Sequence, residues 1–217
     1  MNLTGAIFDL DGTLTDSMYI WNEAPKALVR QFGGEPPEDL AEGIKEMGRR
    51  EASEYMVARF SLPCTPEQVM DGVNDLVTDE YRDKVPMKPG ADILLERLAA
   101  LGVPCGIATA SEAFQARDAM VRLGLWKHFL FAFSSLQYGS KSRPDVYFAA
   151  ARSLGSAPEH TIVFEDALHA ARTAKEAGFL VAGVYDPSAE GDQEALREVC
   201  DWYLPRLDDP GFLALLK

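Results

Sequence analysis

The chain has 217 residues, 47% of them hydrophobic, and sets 21 Lys and Arg against 34 Asp and Glu, for a net charge of −13. That apolar content supplies a full core for one large domain, or for one domain with a small insert. So acidic a surface repels nucleic-acid backbones and anionic membranes, which excludes both as expected partners. Cys64, Cys105 and Cys200 are odd in number, far apart and never in a Cys-x-x-Cys spacing. They read as reduced thiols, not as a disulfide framework or a zinc site. No secretory h-region and no membrane-length apolar run is present, so the expected setting is cytoplasmic.

Short β-rich apolar runs recur at Gly5–Phe8, Val103–Ala108, Phe129–Phe133, Thr161–Phe164 and Leu180–Tyr185. Helical segments separate the later runs and stop on glycine: Gly90–Leu101 at Gly102, Glu112–Leu123 at Gly124, Pro144–Leu154 at Gly155 and Ala167–Ala177 at Gly178. Glycine there serves as a left-handed C-terminal cap. Strands alternating with helices of this length predict right-handed crossovers and a buried parallel sheet, an α/β fold. The interval from Ser17 to Val85 differs. It shows no strand, only helical stretches such as Ala52–Phe60 and Glu67–Tyr81, broken at Gly33-Gly34, Pro36-Pro37 and Pro63. This interval reads as a helical insert, a four-helix bundle, with Pro25 unfavourable in the middle of its first helix.

In open parallel α/β sheets, ligands bind beyond the carboxyl ends of the strands, so the residues that follow each apolar run are the candidates for chemistry. The first run is followed by Asp9 and Asp11, the second by Thr109 and Ser111, and the fourth by Glu165-Asp166. Parallel strands bring all of them to one edge. Carboxylates gathered there repel unless a cation intervenes, and Mg²⁺ suits a site of few carboxylates, waters and substrate phosphate. Lys141, beyond the third run, adds a second positive charge. A carboxylate nucleophile, a metal and a lysine form the set for aspartyl-phosphate chemistry. Singly each piece is ordinary: Asp-x-Asp is a common turn, and Glu-Asp favours a helix start.

The ordered set resembles the haloacid-dehalogenase-like hydrolases. Asp9-Leu10-Asp11-Gly12-Thr13-Leu14-Thr15-Asp16 is similar to their first motif, Thr109 in Ile107-Ala108-Thr109-Ala110-Ser111 to the second, Lys141 to the third and Glu165-Asp166 to the fourth. The likeness spans essentially the whole chain. It implies a Rossmann-like parallel-sheet core over 1–16 and 86–217 and an inserted helical cap domain over 17–85. It also implies a Mg²⁺-dependent phosphatase acting on a small phosphorylated metabolite, a sugar phosphate or a phosphoglycolate-like ester. Asp9 is then the nucleophile, and Asp11 the acid and base. Thr109, Ala110, Ser111 and Lys141 hold the phosphoryl oxygens. Asp9, Asp166, Glu165 and the Asp11 carbonyl serve the metal. Gly12 permits the tight turn behind the nucleophile, and Ser17 caps the first cap helix.

Dehalogenases of the superfamily typically lack an aspartate at the place of Asp11, which favours ester chemistry here. A cap histidine of β-phosphoglucomutase falls about where Trp21 stands. Hydrolysis is therefore preferred, with a phosphomutase as the alternative and a non-catalytic phosphate-binding protein behind it. Trp21, Tyr19 and Arg49, the last in the segment resembling the cap's specificity loop, are candidate substrate contacts. His128, His160 and His169 lie outside the motifs and read as structural or surface residues. The third motif departs from the family pattern as Lys141-Ser142-Arg143-Pro144-Asp145, and the fourth at Ala167 and Ala170. The expected oligomeric state is a monomer or weak dimer.

Overall fold

A computed structural model describes residues 2–44 and 47–217. It divides into two compact units, Met1–Asp16 with Val85–Lys217, and Ser17–Lys84.

The first unit is an α/β layer structure. Strands β1 (Gly5–Phe8), β2 (Cys105–Thr109), β3 (Phe129–Ser134), β4 (Thr161–Glu165), β5 (Leu180–Val184) and β6 (Trp202–Leu204) form one six-stranded sheet in the order β3-β2-β1-β4-β5-β6. Every pairing is parallel. The strand order reverses at β1, so β1 and β4 flank the switch point of a Rossmann-like sheet. Continuous apolar runs suit strands covered on both faces: β1, β2 and β4 are buried along their whole length. Phe8 and Phe164 stack across the switch point at 4.4 Å between ring centroids.

The four expected glycine stops all carry positive φ: Gly102 at 69°, Gly124 at 72°, Gly155 at 68° and Gly178 at 88°. The crossovers are the helices labelled here in chain order after the insert, α5 (Ala91–Ala100), α6 (Ala113–Arg122), α7 (Asp145–Leu154) and α8 (Leu168–Glu176). Their numbers follow α1 (Met18–Gln31), α2 (Leu40–Ile44), α3 (Arg49–Phe60) and α4 (Pro66–Asp83), which make up the second unit. Strand β2 opens at Cys105 and not at Val103, because Pro104 has no N–H to donate to a ladder; its carbonyl still accepts from Ala6 N–H at 3.0 Å. The end of the chain adds α9 (Gln193–Val199), β6 and α10 (Pro210–Leu215), which the apolar runs do not announce.

Within the second unit, Leu28, Val29, Leu40, Met56, Leu62 and Val69 form a separate core. Thr65 and Gln68 close a capping box at the start of α4, where Pro66 fills the first turn. Two expectations fail here. Helix α1 runs unbroken through Pro25, whose ring is buried on the same helix as Ile20, Ala24, Leu28 and Val29. Burial of that face outweighs the lost N–H bond. Ser17 stands at the N-cap of α1 in helical backbone geometry and makes no side-chain capping bond. No helix among the described residues is long and apolar enough to cross a membrane.

Lys88 and Asp186 form an ion pair in the interior of the first unit. Lys88 Nζ donates to Asp186 Oδ2 at 2.6 Å and to the Tyr185 carbonyl at 3.0 Å. Asp186 Oδ1 in turn accepts the backbone N–H of Ser188 at 2.8 Å. The pair links the segment re-entering the core, where Met87 bridges Thr15, to the end of β5. Removing one member strands the other charge away from water, so Lys88→Met is expected to destabilise the protein by about 3–5 kcal/mol. Urea unfolding at neutral pH measures this, and a loss below about 1 kcal/mol would mean the pair behaves as a solvated one.

Candidate active site

The site forms where β1 and β4 end. Asp9 follows β1 directly, and its N–H donates to the Phe164 carbonyl at 3.0 Å. The chain then turns back on itself. The N–H groups of Leu14 and Thr15 donate to the Leu10 carbonyl, both at 2.9 Å, and the Thr15 hydroxyl joins them at 2.9 Å. Gly12 makes this turn possible at φ +82°, and a Cβ there would fall 2.4 Å from Asp166 Oδ2. The glycine thus serves both conformation and the approach of the carboxylate. Thr13 donates its hydroxyl to Asp166 Oδ1 at 3.1 Å.

Lys141 reaches in from the loop after β3. Its ammonium bonds Asp9 Oδ1, and Glu165 Oε1 at 2.5 Å. The altered residues that follow it therefore leave the lysine's reach intact. Asp9, Glu165, Asp166 and Lys141 are all buried. One carboxylate oxygen from each of Asp9, Glu165 and Asp166 lies within 4.8 Å of the others. Asp11 stands outside this trio; its Oδ2 accepts the Ser111 hydroxyl at 2.7 Å, and the Ser111 N–H donates to Thr109 Oγ1 at 2.9 Å. Ala110 lies between these two, exposed, just beyond the end of β2.

Burial dominates the electrostatics. It drives the Asp9 carboxyl well above the usual range, and the opposing Lys141 charge does not cancel it. Asp166 is pushed up to about 7, by burial first and by Glu165 second. Burial pulls Lys141 down, but the carboxylates of Asp9 and Glu165 more than reverse this, so the ammonium is held firmly charged. One lysine thus faces three buried carboxylates. Glu165 Oε2 is buried without a hydrogen-bond partner. An unsatisfied carboxylate oxygen in an all-oxygen, over-acidic site fits a hard divalent cation.

Trp21 is half-buried on α1 and Arg49 is exposed, both in the helical unit. Gly48 to Glu51 is not a loop: extended Gly48 caps α3, which starts at Arg49, and Glu51 suits its first turn. Arg50 is committed to Glu54 at 2.9 Å and to Glu67 at 3.4 Å. Tyr19 donates its hydroxyl to Glu80 at 3.0 Å. His169 and His160 are exposed and His128 half-buried.

Tyr147 and Thr13 also reach the site, and no sequence motif marks Tyr147. Tyr147 lies on α7 with its hydroxyl 2.8 Å from Glu165 Oε1. The only signal was a hydroxyl among Val146, Ala150, Ala151 and Leu154 on a buried helix face.

The family profile of the haloacid dehalogenase-like hydrolases matches residues 6–184. The chain is 30% identical to validoxylamine A 7'-phosphate phosphatase of Streptomyces hygroscopicus subsp. limoneus, with 89% of each chain covered. It is 29% identical to hexitol phosphatase A of Escherichia coli K12, covering 92% of this chain and 89% of that one. In fold it matches a HAD hydrolase of family IA, variant 3, from Entamoeba histolytica HM-1:IMSS, with a TM-score of 0.82, 21% identity and 99% of both chains covered. The chain belongs to the haloacid dehalogenase-like hydrolases.

A carboxyl whose folded pKa is raised holds its proton more tightly folded than unfolded, so stability falls as pH rises through the interval between the two values. For Asp166 that interval runs from 3.8 to about 7. The metal-stripped protein should melt at progressively lower temperature across it, and Asp166→Asn should flatten the slope. Thermal melts at graded pH decide; equal slopes in both proteins would contradict the burial argument.

Proposed function

We propose that this hydrolase is a Mg²⁺-dependent phosphatase that removes the phosphoryl group from a small phosphorylated carbohydrate, with Asp9 as the nucleophile. Its class is phosphoric monoester hydrolase, as in the two phosphatases to which it is similar. The observation that carries the reading is the buried Asp9 carboxylate, bonded to Lys141 and set beside Glu165 and Asp166.

In the proposed reaction an Asp9 oxygen attacks phosphorus, the phosphorus–oxygen bond to the sugar breaks, and Asp11 gives its proton to the departing oxygen. Water then attacks the aspartyl-phosphate, Asp11 takes a proton from it, and inorganic phosphate leaves with the Asp9 carboxylate restored. The Ser111 hydroxyl holds the Asp11 carboxylate by its 2.7 Å bond. Thr109, Ser111, the Ala110 backbone and Lys141 receive the phosphoryl oxygens, where fixed donors stabilise developing charge most. Asp9, Glu165 and Asp166, together with the Asp11 carbonyl, would hold Mg²⁺, which when bound supplies charge neutralisation for nucleophile and phosphate.

Trp21 and Arg49 are assigned to substrate recognition, and the helical unit Ser17–Lys84 to the role of cap, on the strength of the sequence resemblance. The chain is proposed to work in the cytoplasm as a monomer or weak dimer, a setting that suits its free Cys64, Cys105 and Cys200.

Phosphate release from a panel of phosphorylated sugars, polyols and phosphoglycolate tests the reading, run with and without Mg²⁺. Release is expected to require Mg²⁺ and to fall by several orders of magnitude in Asp9→Asn, as for loss of a covalent nucleophile. Unchanged release in that variant would sink the assignment. Isomerised sugar phosphate without free phosphate would point to the mutase.

A further inference from the structure

A hydroxyl in a hydrophobic core costs free energy unless it is hydrogen-bonded, and phenylalanine fills the same space without that cost. Tyr147 is fully buried, with Val146, Ala150 and Ala151 in the same cluster and its ring 6.1 Å from that of Phe179. Packing alone therefore gives no reason for the hydroxyl. Its hydrogen-bond partner is Glu165 Oε1, at 2.8 Å. The same oxygen accepts from Lys141 at 2.5 Å, while Oε2 of that carboxylate is buried with no partner. Two donors thus converge on one oxygen and leave the other bare.

This division of labour has a physical consequence. A carboxylate held by Lys141 alone would follow an ammonium that is itself shared with Asp9. A second donor, fixed on the rigid helix α7, stops the group from rotating and from passing wholly to the lysine. We propose that Tyr147 is a positioning residue for divalent-cation binding: with Lys141 it saturates Glu165 Oε1 and so presents Oε2 to the cation. The inference rests on the metal-dependent reading of the site. It gives Tyr147 a role exerted through Glu165, with no contact to substrate. Outer partners of this kind commonly set metal affinity by orienting the ligands themselves.

Tyr147→Phe removes the donor and keeps the ring. Mg²⁺ binding to the full chain, measured by isothermal titration calorimetry, should weaken by about 10-fold or more in this variant. The KM for the phosphate ester at saturating Mg²⁺ should stay unchanged, as should cooperative melting of the metal-free protein. In a Glu165→Gln background the same substitution should cause no further loss of Mg²⁺ affinity, because the two act as one unit. Equal affinity in Tyr147→Phe and the unaltered protein would overturn the inference. So would a further loss in the Glu165→Gln background, or loss of cooperative melting without metal, since the hydroxyl would then serve the core. If the unaltered protein itself binds no Mg²⁺, the metal-dependent reading falls and takes this inference with it. A wild type that binds beside a variant that binds equally overturns the inference alone.

Discussion

Asp9, Glu165 and Asp166 bring carboxylate oxygens within 4.8 Å of one another in the interior of the protein, and Lys141 is the cation bonded among them. Two unit charges about 4 Å apart repel by about 4 kcal/mol at the effective dielectric of a protein surface, and by more when buried. A fold that gathers such groups must hold protons or admit a cation. Both responses are written into the site. The Asp9 and Asp166 carboxyls are pushed upward by burial, and Glu165 Oε2 is left without a partner. The features that make the site costly to fold are those that suit it to a cation.

Backbone architecture supports this arrangement from a distance. Parallel strands end at the same edge, and the reversal of strand order between β2-β1 and β4-β5 opens a crevice at that edge. Residues far apart in the chain therefore meet. Glu165 closes β4, Asp9 follows β1, and Lys141 comes back from the far side of β3. Apolar packing beneath holds them there, above all the stacked rings of Phe8 and Phe164, one residue before Asp9 and Glu165 respectively. The positive φ of Gly12 then folds the Asp11 segment back, so that Ser111 can bind its carboxylate while Asp166 passes close behind the glycine. Electrostatic strain at the edge is tolerated because the strands under it are among the most thoroughly buried parts of the molecule.

Much of this is legible in the amino-acid sequence. Uninterrupted apolar runs mark the strands, since a doubly covered strand needs no polar face, and glycine stops mark helix ends through their positive φ. Asp9, Asp11, Thr109, Lys141 and Glu165-Asp166 stood out because each follows such a run. The errors lie where a local signal was overruled. Pro25 disfavours a helix at its position, but the buried face of α1 carries the helix through it. Gly48-Arg49-Arg50-Glu51, placed by resemblance at the cap's specificity loop, caps and begins α3. Strand β6 has three residues and α10 has six, too short for any periodicity to show.

Chain chemistry alone marks which residues are candidates for nucleophile, acid, cation and turn, because those properties reside in single side chains and in the backbone freedom of glycine. Partnership does not reside there. Nothing in the order of residues couples Tyr147 to Glu165, Thr13 to Asp166 or Lys88 to Asp186, pairs separated by 18, 153 and 98 positions. Nor does it tell which oxygen of Glu165 is satisfied and which is bare. Such facts depend on distances of a few ångströms between elements brought together by the sheet, and hydrogen bonds and buried charges are decided at that range.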